Sequence, residues 1–466
     1  MKWIVAILLG AAVLGWGATY MPIVAFAAAG LMALIWIGPV SLRRTTETLS
    51  ASFFVVLVAG TDFRLRDPYE SVQVAVDTQV AFELVVYFLL FLVAIRATYV
   101  IQRERLRFTT IEWSLVAYLL LAAFSVMWTP VVAYTATRAI QLGTLLFLSY
   151  ACVRALGPGR TIRALAISVV AYVVISLVAA APLQWSEWTS GARLSWFAVH
   201  PIQVGTYAAT GAILIITDLQ FGDRADRRRR LKQGLLAFLV LVLVMAVSRG
   251  PILAFLVAAI SISLLRRAPS LAATAAISLF VLITLVVYNT ASGLGGILDV
   301  AASSDNALLA FLFRGQSAEE LATLTGRVEL WEAMSVAFRE HPVMGHGYQA
   351  TRVVGMAILP WAGEAHNGLA QSLIDLGILG TAILLFTTLR VLFGSYFAVA
   401  RDHSETTRYH VAIFGLTLYL LVNSVVTASF AGPPGYEPLV LFVCVMAGEQ
   451  LRRIDRYRLD VPAEHS

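Results

Sequence analysis

His366 and Asn367 open the stretch "AHNGLAQSLIDLGILG", so an imidazole and an amide stand at the mouth of a long apolar run. At a water boundary an imidazole titrates near neutrality and is able to take a proton from a hydroxyl. Asn367 either orients that ring or caps the helix that follows. A second histidine, His200 in "FAVHPIQVG", stands at the end of another apolar run. Arg249 lies between two apolar runs in "VMAVSRGPILAF", where a guanidinium is costly unless an anion or a water-filled cavity receives it. Arg193 and Arg327 sit in "SGARLSWF" and "LTGRVELW", whose glycines let backbone approach a ligand closely. Planar, permanently charged forks suit bidentate capture of phosphate oxygens. A general base beside such forks describes group transfer in which the leaving group is a bound phosphate. The competing reading is structural: a boundary histidine makes an interfacial hydrogen bond, and an arginine near a helix end snorkels to headgroups. Snorkelling is the better account of Arg64, Arg66, Arg339 and Arg352 taken singly. It is the weaker account of Arg249, because Ser248 to Pro251 forms a tight turn between helices. Neither H-E-x-x-H nor D-x-D occurs, and no metal or cofactor is expected.

The elements that must position these groups are membrane helices. Of 466 residues 59% are hydrophobic and only 13% charged, with a mean hydropathy of +0.79, well above ordinary soluble domains. The apolar runs are continuous rather than alternating, which excludes a β-barrel. Candidate spans are 3–19, 21–40, 47–60, 80–100, 112–128, 135–153, 161–182, 198–218, 233–248, 251–265, 270–289, 366–398, 409–430 and 436–450. The expected fold is therefore all-α and polytopic, about 12 to 14 transmembrane helices in a single integral membrane domain, 1–466. The opening "MKWIVAILLGAAVLGWGAT" is taken as a retained first helix rather than a signal peptide, since a second apolar run follows almost at once. Cys152 and Cys444 both lie in apolar runs and imply no disulfide.

Basic clusters at 41–44, 103–107, 154–163, 223–232 and 266–267, around Arg401 and Arg408, and at 452–458 fall on one alternate set of loops. By the positive-inside rule that set is cytoplasmic, with both termini inside. The outer side then receives "SRGP" and a large extracytoplasmic loop, 290–365, that caps the site. Within it "SAEELATLTGRVELWEAMSVAFREHP" reads as helix, with Leu330, Met334, Ala337 and Phe338 on one apolar face and Pro342 as its stop. Gly368, Gly377 and Gly380 favour close helix packing. Glu364 either assists His366 or is a solvated carboxylate, and Asp375 either pairs helices or supports the site. A membrane transporter or channel is the competing class, with Glu83, Asp375 and Asn423 as inner polar groups; the charged candidates, however, gather on one side.

"SRGPILA", "LTGRVELWEAM", "HPVMGHGYQA" and "AHNGLAQSLIDLGILG", in that order over residues 190–390, resemble the O-antigen ligase and polymerase superfamily of the Wzy-C type, which includes exopolysaccharide polymerases of the ExoQ kind. The resemblance implies a GT-C-like, metal-independent, inverting glycosyltransferase of the bacterial inner membrane, active on the periplasmic face in lipopolysaccharide or exopolysaccharide biosynthesis. Its donor would be a glycan on polyprenyl (undecaprenyl) pyrophosphate, and its acceptor a glycan, lipid A core or other hydroxyl. By the same resemblance Arg193 and Arg249 would hold the pyrophosphate, Arg327 would position donor or acceptor, and His366 would activate the acceptor hydroxyl. His200 occupies a family position often followed by asparagine, where this chain has Ile202 and Gln203. Gly347 and Tyr348 would shape the mouth.

Overall fold

The structure, a computed structural model, describes residues 42–61, 78–101, 109–189, 193–197, 199–265, 267–271, 275, 277, 279–280, 327–359, 363–401 and 406–460. Every regular element among them is helical. In chain order these are α1 (Leu42–Ala59), α2 (Thr78–Ile101), α3 (Thr110–Phe124), α4 (Val132–Leu156), α5 (Pro158–Thr189), α6 (Pro201–Phe221) and α7 (Arg229–Met245). They continue with α8 (Arg249–Leu265), α9 (Arg327–Glu340), α10 (Thr351–Ile358), α11 (Gly368–Arg401), α12 (Thr407–Asn423) and α13 (Tyr436–Asp460). Five stretches are long and apolar enough to cross a membrane: Thr110–Met127, Val132–Leu156, Pro158–Thr189, Pro201–Phe221 and Gly368–Arg401. At 25 residues α4 reaches ~37 Å, more than the hydrocarbon thickness of a bilayer. The expected spans at 3–19 and 21–40, most of 270–289, and the loop from 281 to 326 lie outside the described residues, as do Arg64, Arg66 and Arg314.

Side chains divide as a bilayer requires. Leu120, Ile140, Ile167, Val178, Leu256 and Phe386 stand uncovered by protein, whereas α12 and the first half of α13 are buried among their neighbours. Buried Cys152 and Cys444 are free thiols inside the bundle. The bundle has two chemically distinct ends. At one, Glu112 at the start of α3 meets Arg453 of α13 at 3.4 Å and Arg154 at the end of α4 at 4.0 Å. At the same end His410 bonds Asp455 at 2.9 Å, and Tyr409 packs over Gly159. The starts of α2, α4, α6, α11 and α13 gather at the other end.

One helix is broken, and the break organises that second end. Gly377 has φ +65° within α11, a region that side chains rarely adopt. In an uninterrupted helix Ile378 and Leu379 would donate to Ile374 and Asp375. Here the four groups are bonded instead by the segment 342–347: His346 N donates to Ile374 O (2.8 Å) and Gly347 N to Asp375 O (2.8 Å). Ile378 N donates to Pro342 O (2.9 Å) and Leu379 N to Val343 O (3.2 Å). The insertion needs glycine on both partners. A Cβ at Gly377 would lie 2.2 Å from Val343 O, and one at Gly345, also left-handed at φ +67°, would lie 2.4 Å from Asp375 O. The "HPVMGHG" motif is thus the piece that satisfies a broken helix in an interior where unpaired backbone groups are expensive. It also carries α9, because His346 Nε2 bonds Ala337 O at 2.9 Å.

Gly377→Ala is expected to lower the detergent-solubilised unfolding temperature and the folded yield, since both φ and space oppose a methyl group. Gly234→Ala, in α7 with nothing within 4 Å of an added Cβ, is the control: it should be neutral or stabilising by up to about 1 kcal/mol, measured by the same thermal scan.

Candidate functional site

His366 sits immediately before α11 with φ +48°, a conformation that costs a residue with a Cβ about 1–3 kcal/mol and persists where surroundings over-determine it. Those surroundings are bonded on both sides of the ring. Upstream, Ala365 N donates to Gln371 Oε1 (3.1 Å) and Ala365 O accepts from Trp331 Nε1 of α9 (3.1 Å). Downstream, Asn367 Oδ1 accepts from Leu369 N and Ala370 N (both 3.0 Å), so Asn367 is the N-cap of α11. Its Nδ2 donates to Val425 O (3.0 Å).

Gln371 is itself oriented by Asp375. The amide Nε2 donates to Asp375 Oδ2 (3.0 Å), which turns Oε1 toward Ala365. Asp375 Oδ1 accepts from Thr351 N (2.8 Å) and Thr351 Oγ1 (2.7 Å) at the start of α10. A carboxylate buried at 1% exposure is thereby satisfied three times over. Of the two readings of Asp375, the geometry supports the one in which it upholds the site. The cap helix does its share as its apolar spacing requires: Leu330 and Met334 are buried against Ala365 and Ile374, with Ala337 buried further along the same face and Phe338 half-buried.

His366 lines a cavity of about 450 Å³, a size usual for small-molecule sites. Its wall takes Glu83 and Tyr87 from α2, Arg138 from α4, His200, Gln203, Thr206 and Tyr207 from the start of α6, Glu364 beside His366, and the segment Thr427–Pro438. His200 is the N-cap of α6: its Nδ1 accepts from Ile202 N at 3.2 Å. The neutral ring therefore carries its proton on Nε2 and is a donor there rather than a base. Burial holds the Glu364 carboxyl above the usual carboxylate range, against the pull of Arg352 and Arg138.

Arg193 and Arg249 do not line this cavity. They lie together on a neighbouring turn. Arg193 Nε donates to Ala246 O (3.2 Å) and Leu194 N to Met245 O (3.0 Å), so the Arg193 segment runs beside the end of α7, three residues before Arg249. Arg249 begins α8 just after Val247, a β-branched residue at φ +45°. Both neighbourhoods pack on the turn 423–427: a Cβ at Gly250 would lie 2.5 Å from Val426 Cγ2, and Gly368 N donates to Ser424 O at 2.7 Å. The residues next to His366 and to Arg249 are thus referenced to one turn. Arg327 opens α9, and its side chain lies outside the described residues.

Three cavity features escape a sequence reading. Arg138 is buried at 7% exposure and its Nη1 donates to Glu83 Oε2 (3.1 Å) and to Gln141 Oε1 (2.8 Å). The segment 427–438 forms a whole wall, although in the sequence it is a short join between two apolar runs. An edge-to-face aromatic series, Trp196 to Tyr172 (6.0 Å), Tyr172 to Tyr207 (5.2 Å) and Tyr207 to Tyr436 (5.1 Å), ties the Arg193 segment to two cavity residues. The one available signal was Arg138 itself, a charge a few residues into an apolar run. Gly347 and Tyr348 do not line the cavity. They are buried against α3, where Tyr348 N donates to Ser125 Oγ at 2.9 Å.

The fold and the site define a polytopic helical membrane protein with a polar cavity at one end of its bundle. Residues 234–385 match the family model Wzy_C, described as O-antigen ligase. The match includes Arg249, Arg327, His366, Asn367 and the broken helix, and ends short of Arg138, Arg193, His200 and Glu437 on either side. No curated protein matches the chain.

Two stability measurements probe this architecture. His366→Gly should unfold at a higher temperature than His366→Ala, because glycine relieves the left-handed backbone; equal midpoints would remove the strain. Asp375→Ala should unfold at a lower temperature than the parent by about 1–3 kcal/mol for each buried donor left unpaired.

Proposed function

We propose that this protein transfers a glycan from a polyprenyl-pyrophosphate donor to an acceptor hydroxyl at the outer face of the bacterial inner membrane, without a metal and with inversion at the anomeric carbon. The observation that carries this reading is the seating of His366: strained, bonded on both sides and opening onto a cavity, with Gly250, next to Arg249, packed on the same 423–427 turn that bonds Gly368. The Wzy_C match over 234–385 supports it independently.

In the proposed step His366 takes the proton of the acceptor hydroxyl as its oxygen attacks the anomeric carbon. The new C–O bond forms on the face opposite the diphosphate, and the bond to the diphosphate breaks with its electron pair leaving on oxygen. Arg193 and Arg249 balance the charge that develops there, and Arg327 positions donor or acceptor from the cap helix. Asn367 contributes by capping α11 and fixing the backbone next to the base. His200 offers Nε2–H as a hydrogen-bond donor in the cavity. Sidedness follows from charge: the loop 223–230 and the arginines of α13 lie at the end of the bundle away from the cavity, and that basic end is assigned to the cytoplasm with both termini.

His366→Ala is expected to reduce transfer from purified protein by a factor of about 100 to 10,000 while donor binding is retained. Arg249→Ala should instead weaken donor affinity. Turnover of His366→Ala at the parental rate would remove the base from the mechanism. A ladder of products from a single-repeat donor would indicate polymerisation; one addition to a separate acceptor would indicate ligation.

A further inference from the structure

We infer that the cavity under His366 is the subsite for the acceptor sugar, and that it admits an uncharged sugar while rejecting an acidic one. The inference rests on the transferase reading and adds the chemistry of the acceptor to it. Its first support is a division of labour in space. His366 and Glu364 are in the cavity wall, whereas Arg193 and Arg249 do not line it. A hydroxyl that loses its proton to His366 has to enter the cavity, and a diphosphate held by the arginines stays outside it.

The second support is the chemistry of the wall. Sugar hydroxyls are both donors and acceptors, so they call for planar groups of either kind. Glu83, Glu364 and Glu437 supply acceptors when ionised, Arg138 supplies donors, and Gln203 and Thr206 supply both. Tyr207 and Tyr436 add aromatic surface for the apolar face of a sugar ring. At about 450 Å³ the cavity suits a terminal sugar rather than a long glycan.

The third support is an unfilled bond. Arg138 is buried and lines the cavity, yet its Nε has no hydrogen-bond partner among the described residues. A buried donor left unpaired is costly, and a sugar hydroxyl is a suitable partner. Glu437 is held in place by Asn423 Nδ2 at 3.2 Å, and Asn423 Oδ1 is buried with no hydrogen-bond partner among the described residues.

Charge then sets the selectivity. The ionisable groups that line the cavity are Glu83, Glu364, Glu437, Arg138, His200, His366 and the tyrosines Tyr87, Tyr207 and Tyr436. The single guanidinium is already paired with Glu83 at 3.1 Å. A uronic acid would bury a further carboxylate where burial already holds the Glu364 carboxyl above its usual range and the lining guanidinium is taken by Glu83, and a charge buried without its own partner is costly. A neutral sugar meets no such penalty.

Saturation-transfer NMR on the full-length protein in lipid nanodiscs tests this, with methyl glucoside, methyl N-acetylglucosaminide and methyl glucuronide as probes. The two neutral glycosides should receive saturation and the glucuronide should not. Gln203→Ala, at an exposed residue with no side-chain bond among the described residues, should reduce the neutral signal at least threefold, and Glu83→Gln, which leaves Arg138 without its carboxylate partner, should admit the glucuronide. Glucuronide binding equal to glucoside, a neutral signal indifferent to Gln203→Ala, or no signal from any probe would overturn the inference. Transfer from a lipid-linked donor is assayed on the same sample. Transfer without glycoside binding sinks the subsite alone, whereas glycoside binding without any transfer sinks the transferase reading.

Discussion

Four backbone hydrogen bonds across the break at Gly377 hold the polar end of this bundle together. A helix crossing an apolar interior is under one strict demand, that its amides and carbonyls be paired. At Gly377 the helix cannot meet that demand alone, and the segment 342–347 meets it from outside. Because the same segment is tied to α3 through Tyr348 and Ser125, and to α9 through His346 and Ala337, three elements distant in sequence are referenced to one point. Asp375, two residues before the break, extends the reference to α10 through Thr351 and to the histidine loop through Gln371.

His366 is the beneficiary of that rigidity. A left-handed backbone at a non-glycine residue is maintained only by what surrounds it, and here the supports are Gln371, Trp331 and the Asn367 cap. Under the proposed function, a base held this way would lose little freedom when a substrate arrives, which is how a fixed scaffold contributes to rate. Gln349 at φ +61° and Ser429 at φ +43° belong to the same neighbourhood, joined where Gln349 Nε2 bonds Ala431 O at 3.2 Å. Strain at this end is therefore distributed over several residues around the cavity.

Arg193 and Arg249 lie outside the cavity whose wall carries Glu83, Glu364 and Glu437. The Arg193 guanidinium stands with the end of α7, and in the cavity wall Arg138 is neutralised by Glu83. Under the proposed function, such a partition would suit two substrates that differ in charge, one carrying phosphate and one carrying hydroxyls.

Much of the helical frame was legible in the sequence, because lipid imposes a length and a hydropathy that each run must satisfy by itself. The apolar runs at 135–153, 198–218 and 436–450 fall within or within three residues of α4, α6 and α13, and Leu330, Met334 and Ala337 face inward as their spacing requires. The run at 409–430 was read too long, since α12 stops at Asn423 and the chain turns back to wall the cavity. Candidate chemistry was legible where a polar type stood out locally, as at His366, Arg249 and His200. What the tertiary structure alone decided was adjacency: that Glu83 meets Arg138, that His346 and Gly347 complete the helix broken at Gly377, and that Gly250 and Gly368 pack on one turn, 423–427. Hydropathy acts residue by residue along the chain, whereas these pairings join positions tens to hundreds of residues apart, and only packing brings them within a hydrogen bond.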